Sequence, residues 1–163
     1  MSSILKVSTL QDPTNSNTAL SIDTSGRITH PQIPFVNVSF SAGSSGSYQS
    51  HSAGDVVAFN TVYDGDASLY DTSTYKFTCP VAGLYMSTFH LLTSAQSNIK
   101  IQFFKNSTNL TRSIFGSRDA SATNIVSCAS GDELYLITED AESFYNASGD
   151  SNRYSWGAYT LIG

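Results

Sequence analysis

The sequence predicts an all-β fold, an antiparallel sandwich, and three observations carry that reading. No window of a dozen residues keeps apolar side chains at i, i+3, i+4 and i+7, the spacing by which a helix buries one stripe. Short runs rich in β-branched and aromatic side chains recur instead, separated by Gly, Asn, Asp and Ser. The composition agrees: 13% of the 163 residues are charged, 12% are aromatic, and Ser and Thr fill roughly a quarter of the chain. Hydroxyl side chains suit strand faces and turns, so they replace charge without adding apolar surface.

Residues 1–35 read as an attachment and trimerisation segment, and residues 36–163 as the head domain. Within the segment, Leu5 and Val7, Leu20 and Ile22, and Ile28 are isolated among Ser, Thr and Asn. So few apolar side chains do not offset ordering entropy, and the segment must dock on something or stay flexible. Pro31 and Pro34 break any ladder and mark the boundary. Residues 41–52 are rich in Ser and Gly and read as a mobile loop. Strands are expected over 56–59, 83–91, 98–104, 123–128, 133–138 and 155–162. In the third of these, Ile99, Ile101 and Phe103 alternate with Lys100, Gln102 and Phe104, one set for the core and one for solvent or an interface. The turn over 105–109 favours hairpins, hence antiparallel pairing. Ala82-Gly83 and Gly131-Asp132 read as turns needing positive φ, and Gly157 as a close approach of another backbone or side chain.

Charge and motif searches exclude several functions. With 8 basic residues against 13 acidic ones, and no basic cluster, the footprint for a phosphate backbone is missing, so nucleic acid is not an expected partner. No run of 18 apolar residues occurs, and no membrane insertion is expected. The opening Met1-Ser2-Ser3-Ile4-Leu5-Lys6-Val7 lacks a basic region followed by an apolar stretch, and no signal peptide is expected. Cys79 and Cys128 lie in β-type sequence with no His or second Cys at ligand spacing; they read as two buried thiols, with a bridge as the alternative. The Asn-x-Ser/Thr triplets at Asn37, Asn106, Asn109 and Asn146 follow from the composition.

His30, His51 and His90 are scattered and join no catalytic motif, so no catalytic residue, cofactor or metal is expected. Asp64-Gly65-Asp66 reads as a turn rather than a calcium loop, and Glu139-Asp140-Ala141-Glu142 as a solvated loop. Tyr63, Tyr70, Phe144, Tyr145 and Tyr154 are placed in loops near Ser, Gly and Asn, a composition that suits a receptor-facing surface for glycan or protein.

Four blocks then carry a family likeness: Phe59-Asn60; Tyr75-Lys76-Phe77-Thr78-Cys79-Pro80-Val81-Ala82-Gly83-Leu84-Tyr85; Ser130-Gly131-Asp132-Glu133-Leu134-Tyr135-Leu136; and Trp156-Gly157-Ala158-Tyr159-Thr160-Leu161-Ile162. In this order they resemble the signature blocks of the C1q-type globular head, one of the tumour-necrosis-factor-like jelly rolls. The resemblance implies a jelly-roll sandwich that assembles as a trimer, with its final strand near the threefold axis. Ile99, Ile101, Phe103, Trp156 and Tyr159 are then expected in the core or at the threefold interface. The stretches 4–12 and 19–29 resemble the openings of tail-fibre and other appendage proteins of tailed phages, especially marine ones. With neither signal peptide nor collagen period, this second likeness implies a virion protein made in a bacterial cytoplasm.

The expected function is therefore that of a non-enzymatic homotrimeric appendage: a tail fibre, head fibre or capsid decoration. Ile4, Leu5, Val7, Leu10, Leu20, Ile22 and Ile28 would hold it to other virion proteins, and its heads would meet a host-surface glycan or protein. A soluble C1q-like module that binds protein or glycan is the alternative. A polysaccharide hydrolase is disfavoured, because no convincing pair of carboxylates is present.

Overall fold

The structure is a computed structural model that describes residues 9–11, 18–22, 24–25, 28–29, 33–41, 47–93, 99–111, 114–146 and 153–163. The chain divides into two units, 1–33 and 34–163. In the first, β1 (Thr9–Gln11), β2 (Thr18–Ile22) and β3 (Ile28–Thr29) form an antiparallel sheet, with Leu10 opposite Leu20 and Ile22 opposite Ile28. In the segment expected to dock on something or stay flexible, these strands pair with one another. Of the expected anchors, Leu10, Leu20, Ile22 and Ile28 lie in these strands, while Ile4, Leu5 and Val7 lie outside the described residues.

The second unit contains β4 (Phe35–Ser39), β5 (Tyr48–His51), β6 (Thr61–Gly65), β7 (Tyr70–Asp71), β8 (Lys76–Thr78), β9 (Gly83–Leu92), β10 (Ile99–Lys105), β11 (Thr108–Asn109), β12 (Ile114–Gly116), β13 (Asp119–Cys128), β14 (Glu133–Thr138), β15 (Glu142–Tyr145) and β16 (Trp156–Leu161). One sheet runs β13-β9-β16-β4-β6; another runs β11-β10-β14-β8-β7, with β12 also paired to β10; β5 and β15 form a separate ribbon. Neighbours such as β9 and β16 are far apart in sequence, so the chain crosses repeatedly from sheet to sheet, as the expected jelly roll requires.

Alternation along the strands builds the core between the sheets. Tyr85, Phe89 and Leu91 of β9, Tyr159 of β16, and Val36 and Val38 of β4 turn inward. Facing them are Ile99, Ile101 and Phe103 of β10, Leu134 and Leu136 of β14, and Phe77 of β8. Ring pairs tie the layers together: Phe77 stacks on Tyr159 at 5.2 Å and 3°, and Phe89 meets Phe103 at 5.3 Å. Fully burying one such side chain contributes about 1.5–3 kcal/mol, so these rows fix the register of both sheets.

Two glycines sharpen the expectations. A Cβ on Gly157 would lie 2.9 Å from Phe59 Cε2 and 3.3 Å from Val38 Cγ2, so the close approach comes from this chain's own core. Gly131 has the positive φ its turn requires, whereas Gly83 is not among the positive-φ residues and opens β9. A Cβ there would lie 2.7 Å from the Gly163 carbonyl oxygen, so packing rather than φ demands this glycine.

Candidate functional site

Two surfaces of the head unit could meet another molecule. The first is the side of the five-stranded sheet that faces away from the core. β4, β9 and β16 contain no Asp, Glu, Lys or Arg at all. Register sets Asn37, Ala158, Thr88 and Thr123 side by side across this face, with Phe35, Thr160, Met86 and Ile125 in the next row. Its hydroxyls bond laterally: Thr123 Oγ1 donates to Thr88 Oγ1 at 3.0 Å, and His90 Nδ1 lies 2.7 Å from Ser121 Oγ. At one end Leu84, Ile162 and Ile125 are exposed, Ile125 by 55%. The centre of this face is uncharged, the carboxylates of Asp64 and Asp119 stand on its two edge strands, and its open apolar groups suit contact with protein.

The second surface is the outer side of the β5–β15 ribbon. Tyr48 pairs with Tyr145 and Ser50 with Ser143, so one tyrosine pair and one hydroxyl pair share this side. The tyrosine rings sit 4.6 Å apart, their hydroxyls are 3.3 Å apart, and the serine hydroxyls are 2.9 Å apart. Tyr154 meets Tyr145 edge-on at 6.0 Å, and Tyr48 and Tyr154 are 44% and 39% exposed. Next in the chain, the Arg153 guanidinium lies 3.9 Å from the ring centre of Tyr63 in β6. The hydroxyl of Tyr145 beside it holds the Tyr48 phenol above its ordinary value.

The inner side of the ribbon faces the core. His51 and Phe144 are buried there, with ring centres 5.3 Å apart, and Phe40 lies 5.7 Å from His51 and 6.1 Å from Phe144. The Ala58 N–H donates to His51 Nε2 at 2.9 Å. Burial pushes the His51 pKa down, and the Gln49 carbonyl and the Asp55 charge oppose this less strongly.

These placements correct several expectations. Phe144 and Tyr70 are buried, so neither faces a receptor; burial also pushes the Tyr70 phenol far up. Tyr145 and Tyr63 lie in strands rather than loops, and Tyr154 alone of the five is an exposed non-strand residue. By contrast, Ile99, Ile101, Phe103 and Tyr159 lie in the core, one of the two places expected for them, while Trp156 is half-buried on the side of its sheet that faces away from the core. Residues 48–51 form a strand inside the stretch expected as a mobile loop, and Glu142 is buried at the start of β15 rather than solvated. Tyr48-Gln49-Ser50-His51 shows no apolar–polar alternation, and the neighbouring Ser and Gly read as a loop.

Cys79 and Cys128 are free and buried, and burial pushes both thiols up, Cys79 with help from Cys128. Asp66 accepts from the Ser68 N–H and caps the one-turn 3-10 helix Ala67–Leu69, so that carboxylate serves a turn. The Asn106 amide donates to Asp132 Oδ1 and accepts from the Glu133 N–H, each at 2.9 Å, which ties it into the hairpin.

The C1q domain, as a family, matches residues 39–156 of this chain. Complement C1q and tumor necrosis factor-related protein 9B of Homo sapiens is 29% identical over 100 residues, which cover 59% of this chain and 30% of that protein. A complement C1q subcomponent of Rattus norvegicus is 29% identical over 107 residues, 63% of this chain and 43% of that protein. The chain therefore spans less than half the length of either relative. Among solved structures, the globular domain of zebrafish complement 1qA superimposes with a TM-score of 0.57 at 17% identity, over 81% of this chain and 98% of that one. Eiger TNF from S. frugiperda gives 0.61 at 11% identity, over 80% and 94%. Both likenesses concern the fold alone.

Proposed function

The chain belongs to the C1q domain family, and from that premise we propose that it is a non-enzymatic, homotrimeric recognition module. Three copies bury the uncharged centre of the β13-β9-β16-β4-β6 sheet, formed by β9, β16 and β4, and present their tyrosine faces to a ligand. The observation that carries this reading is the absence of charge from β4, β9 and β16, together with exposed Leu84, Ile125 and Ile162 at one end. A surface lacking charge and open in its apolar groups has the composition of an interface core.

The ligand class we propose is a glycan. Tilted tyrosine rings beside paired serine hydroxyls offer a flat apolar surface for a sugar ring and hydrogen-bonding groups for its hydroxyls. Three such faces per trimer raise avidity without strong binding at any one of them. We retain the amino-terminal unit as the attachment element, because its strands form their own sheet and precede the family match. The relatives are animal proteins, which favours the recognition module over the virion appendage. Virion membership is tested by mass spectrometry of purified phage particles, where its absence leaves the soluble module.

Light scattering on the purified chain should give the mass of three copies, and the trimer should bind a subset of glycans on an array. Tyr145→Ala should weaken that binding about tenfold or more, a loss of about 1.4 kcal/mol, with the trimer intact. A monomer at micromolar concentration would overturn the assembly, and glycan binding indifferent to Tyr145 would overturn the ligand surface.

A further inference from the structure

We propose that the β5–β15 ribbon is an acid-released latch: His51, held neutral by the Ala58 N–H and two phenylalanine rings, pins the ribbon to the head, and protonation frees it. The geometry fixes the direction of the effect. Because the Ala58 N–H donates to Nε2 at 2.9 Å, that nitrogen keeps its lone pair and the ring proton sits on Nδ1. A second proton on Nε2 would set donor against donor in a buried place. Nδ1 is itself buried with no hydrogen bond of good geometry, and the nearby Gln49 carbonyl, which favours the charged ring, does not outweigh the burial. Phe40 and Phe144 press on the ring and bring no ionisable group.

Two acidic residues lie beside His51 on the elements around it. Asp55 lies in the connection after β5, where its Oδ2 accepts from the Ser52 N–H at 2.6 Å; Glu142 is the cross-strand partner of His51 and is buried. Asp55 favours the imidazolium, yet burial outweighs it and the pKa falls below the ordinary 6.5. A depressed histidine pKa contributes stability that is present above 6.5 and lost as pH falls. The ribbon is also where that loss acts, for His51 and Phe144 lie on one side of it and Tyr48 and Tyr145 on the other. Opening it would separate the tyrosine pair. That consequence for ligand release rests on the function proposed above; the latch itself does not.

Hydrogen exchange of the intact chain at pH 7.5 and 5.0, corrected for intrinsic rates, reads the latch directly. Amides of 48–58 and 142–146 should open up to about 30-fold more often at pH 5.0, the ratio expected when an ordinary histidine of pKa 6.5 forms on opening. Amides of β9 and β16 should not change. His51→Gln, whose side-chain carbonyl can still accept from Ala58, should abolish the acid response, while His90→Gln should keep it. An unchanged wild-type ribbon at pH 5.0, or a response that survives His51→Gln, overturns the latch. If His51→Gln does not fold, the His51 ring resonance of the wild type decides: it should titrate together with the ribbon amides. Titration at an ordinary pKa with those amides still would overturn the proposal. Glycan binding lost in Tyr145→Ala is a separate readout, so the two readings fail independently.

Discussion

The two sheets of the head turn opposite kinds of surface outward. On the β11-β10-β14-β8-β7 sheet, Lys76 pairs with Glu133 at 2.7 Å, Lys100 with Asp140 at 2.8 Å and Lys105 with Asp132 at 3.6 Å. Aromatic rings there lie under charge: Phe104 stacks on Tyr135, and the Lys76 ammonium sits 4.9 Å from the Tyr135 ring centre. On the β13-β9-β16-β4-β6 sheet, the three inner strands carry hydroxyls, Asn37, His90 and apolar groups, and no formal charge of the Asp, Glu, Lys or Arg kind. The cores beneath the two sheets are alike, so folding does not require the difference. It teaches that charge is confined to one face and kept from the centre of the other, which is what the proposed assembly requires.

The largest expected effect comes from charging the uncharged face. Ala158 stands at its middle, between Asn37 and Thr88. Ala158→Arg would bring three arginines into a trimer interface, and like-charge contact there costs several kcal/mol. Light scattering should show a single chain at concentrations where the wild type is trimeric, with the circular dichroism of the strands retained. Gln102→Arg, on the outer side of the other sheet, should leave the mass unchanged. A trimer that survives Ala158→Arg would break the comparison at its centre.

How much of this was legible in the sequence depends on whether burial left a pattern. Ile99, Ile101 and Phe103 alternate with polar partners because β10 is covered on one side only, and that period of two reads directly as a strand. Phe77, Cys79, Leu134 and Tyr159 sit in blocks whose spacing a family likeness could catch. The ribbon left a weaker trace. Its inner side holds Gln49, His51 and Glu142 beside Phe144, so alternation there does not separate polar from apolar. Tyr48 and Tyr145, far apart in sequence, meet only through the topology. Phe144 and Tyr70 misled for the converse reason: each lies in a short strand among turn-forming residues, and only the fold covers them.

Acid should separate the two faces a second way. Hydrogen bonds from Ser68 lower the Asp66 pKa, those from Ser73 and Thr74 hold Asp71 down to about 2, and Asn106 and the Ala129 N–H lower Asp132. For a depressed carboxyl, the stabilisation is complete above the ordinary value of 3.8 and is lost as pH falls towards the folded value. Amides of Ser68, Ser73 and Ala129, which donate to these carboxylates, should therefore lose exchange protection first between pH 4 and about 2. Paired amides of β9 and β16 should hold longer, since no carboxylate supports them. Loss in the reverse order would mean that the uncharged face is the weaker part of the fold.

The smallest effect tests whether the charged face is in fact wet. Lys76 and Glu133 are close, but their side chains remain 27% and 40% exposed, so water and salt screen the pair. Exposed pairs of this kind contribute about 0–1 kcal/mol. Lys76→Met keeps the aliphatic stem against Tyr135 and removes the ammonium, and Glu133→Gln removes the other charge. A double-mutant cycle by urea denaturation should give a coupling below about 1 kcal/mol that shrinks further in molar salt. A coupling of several kcal/mol, unresponsive to salt, would require both charges to be desolvated. That result would place a partner on this face too, and the contrast between a wet sheet and a covered one would no longer stand.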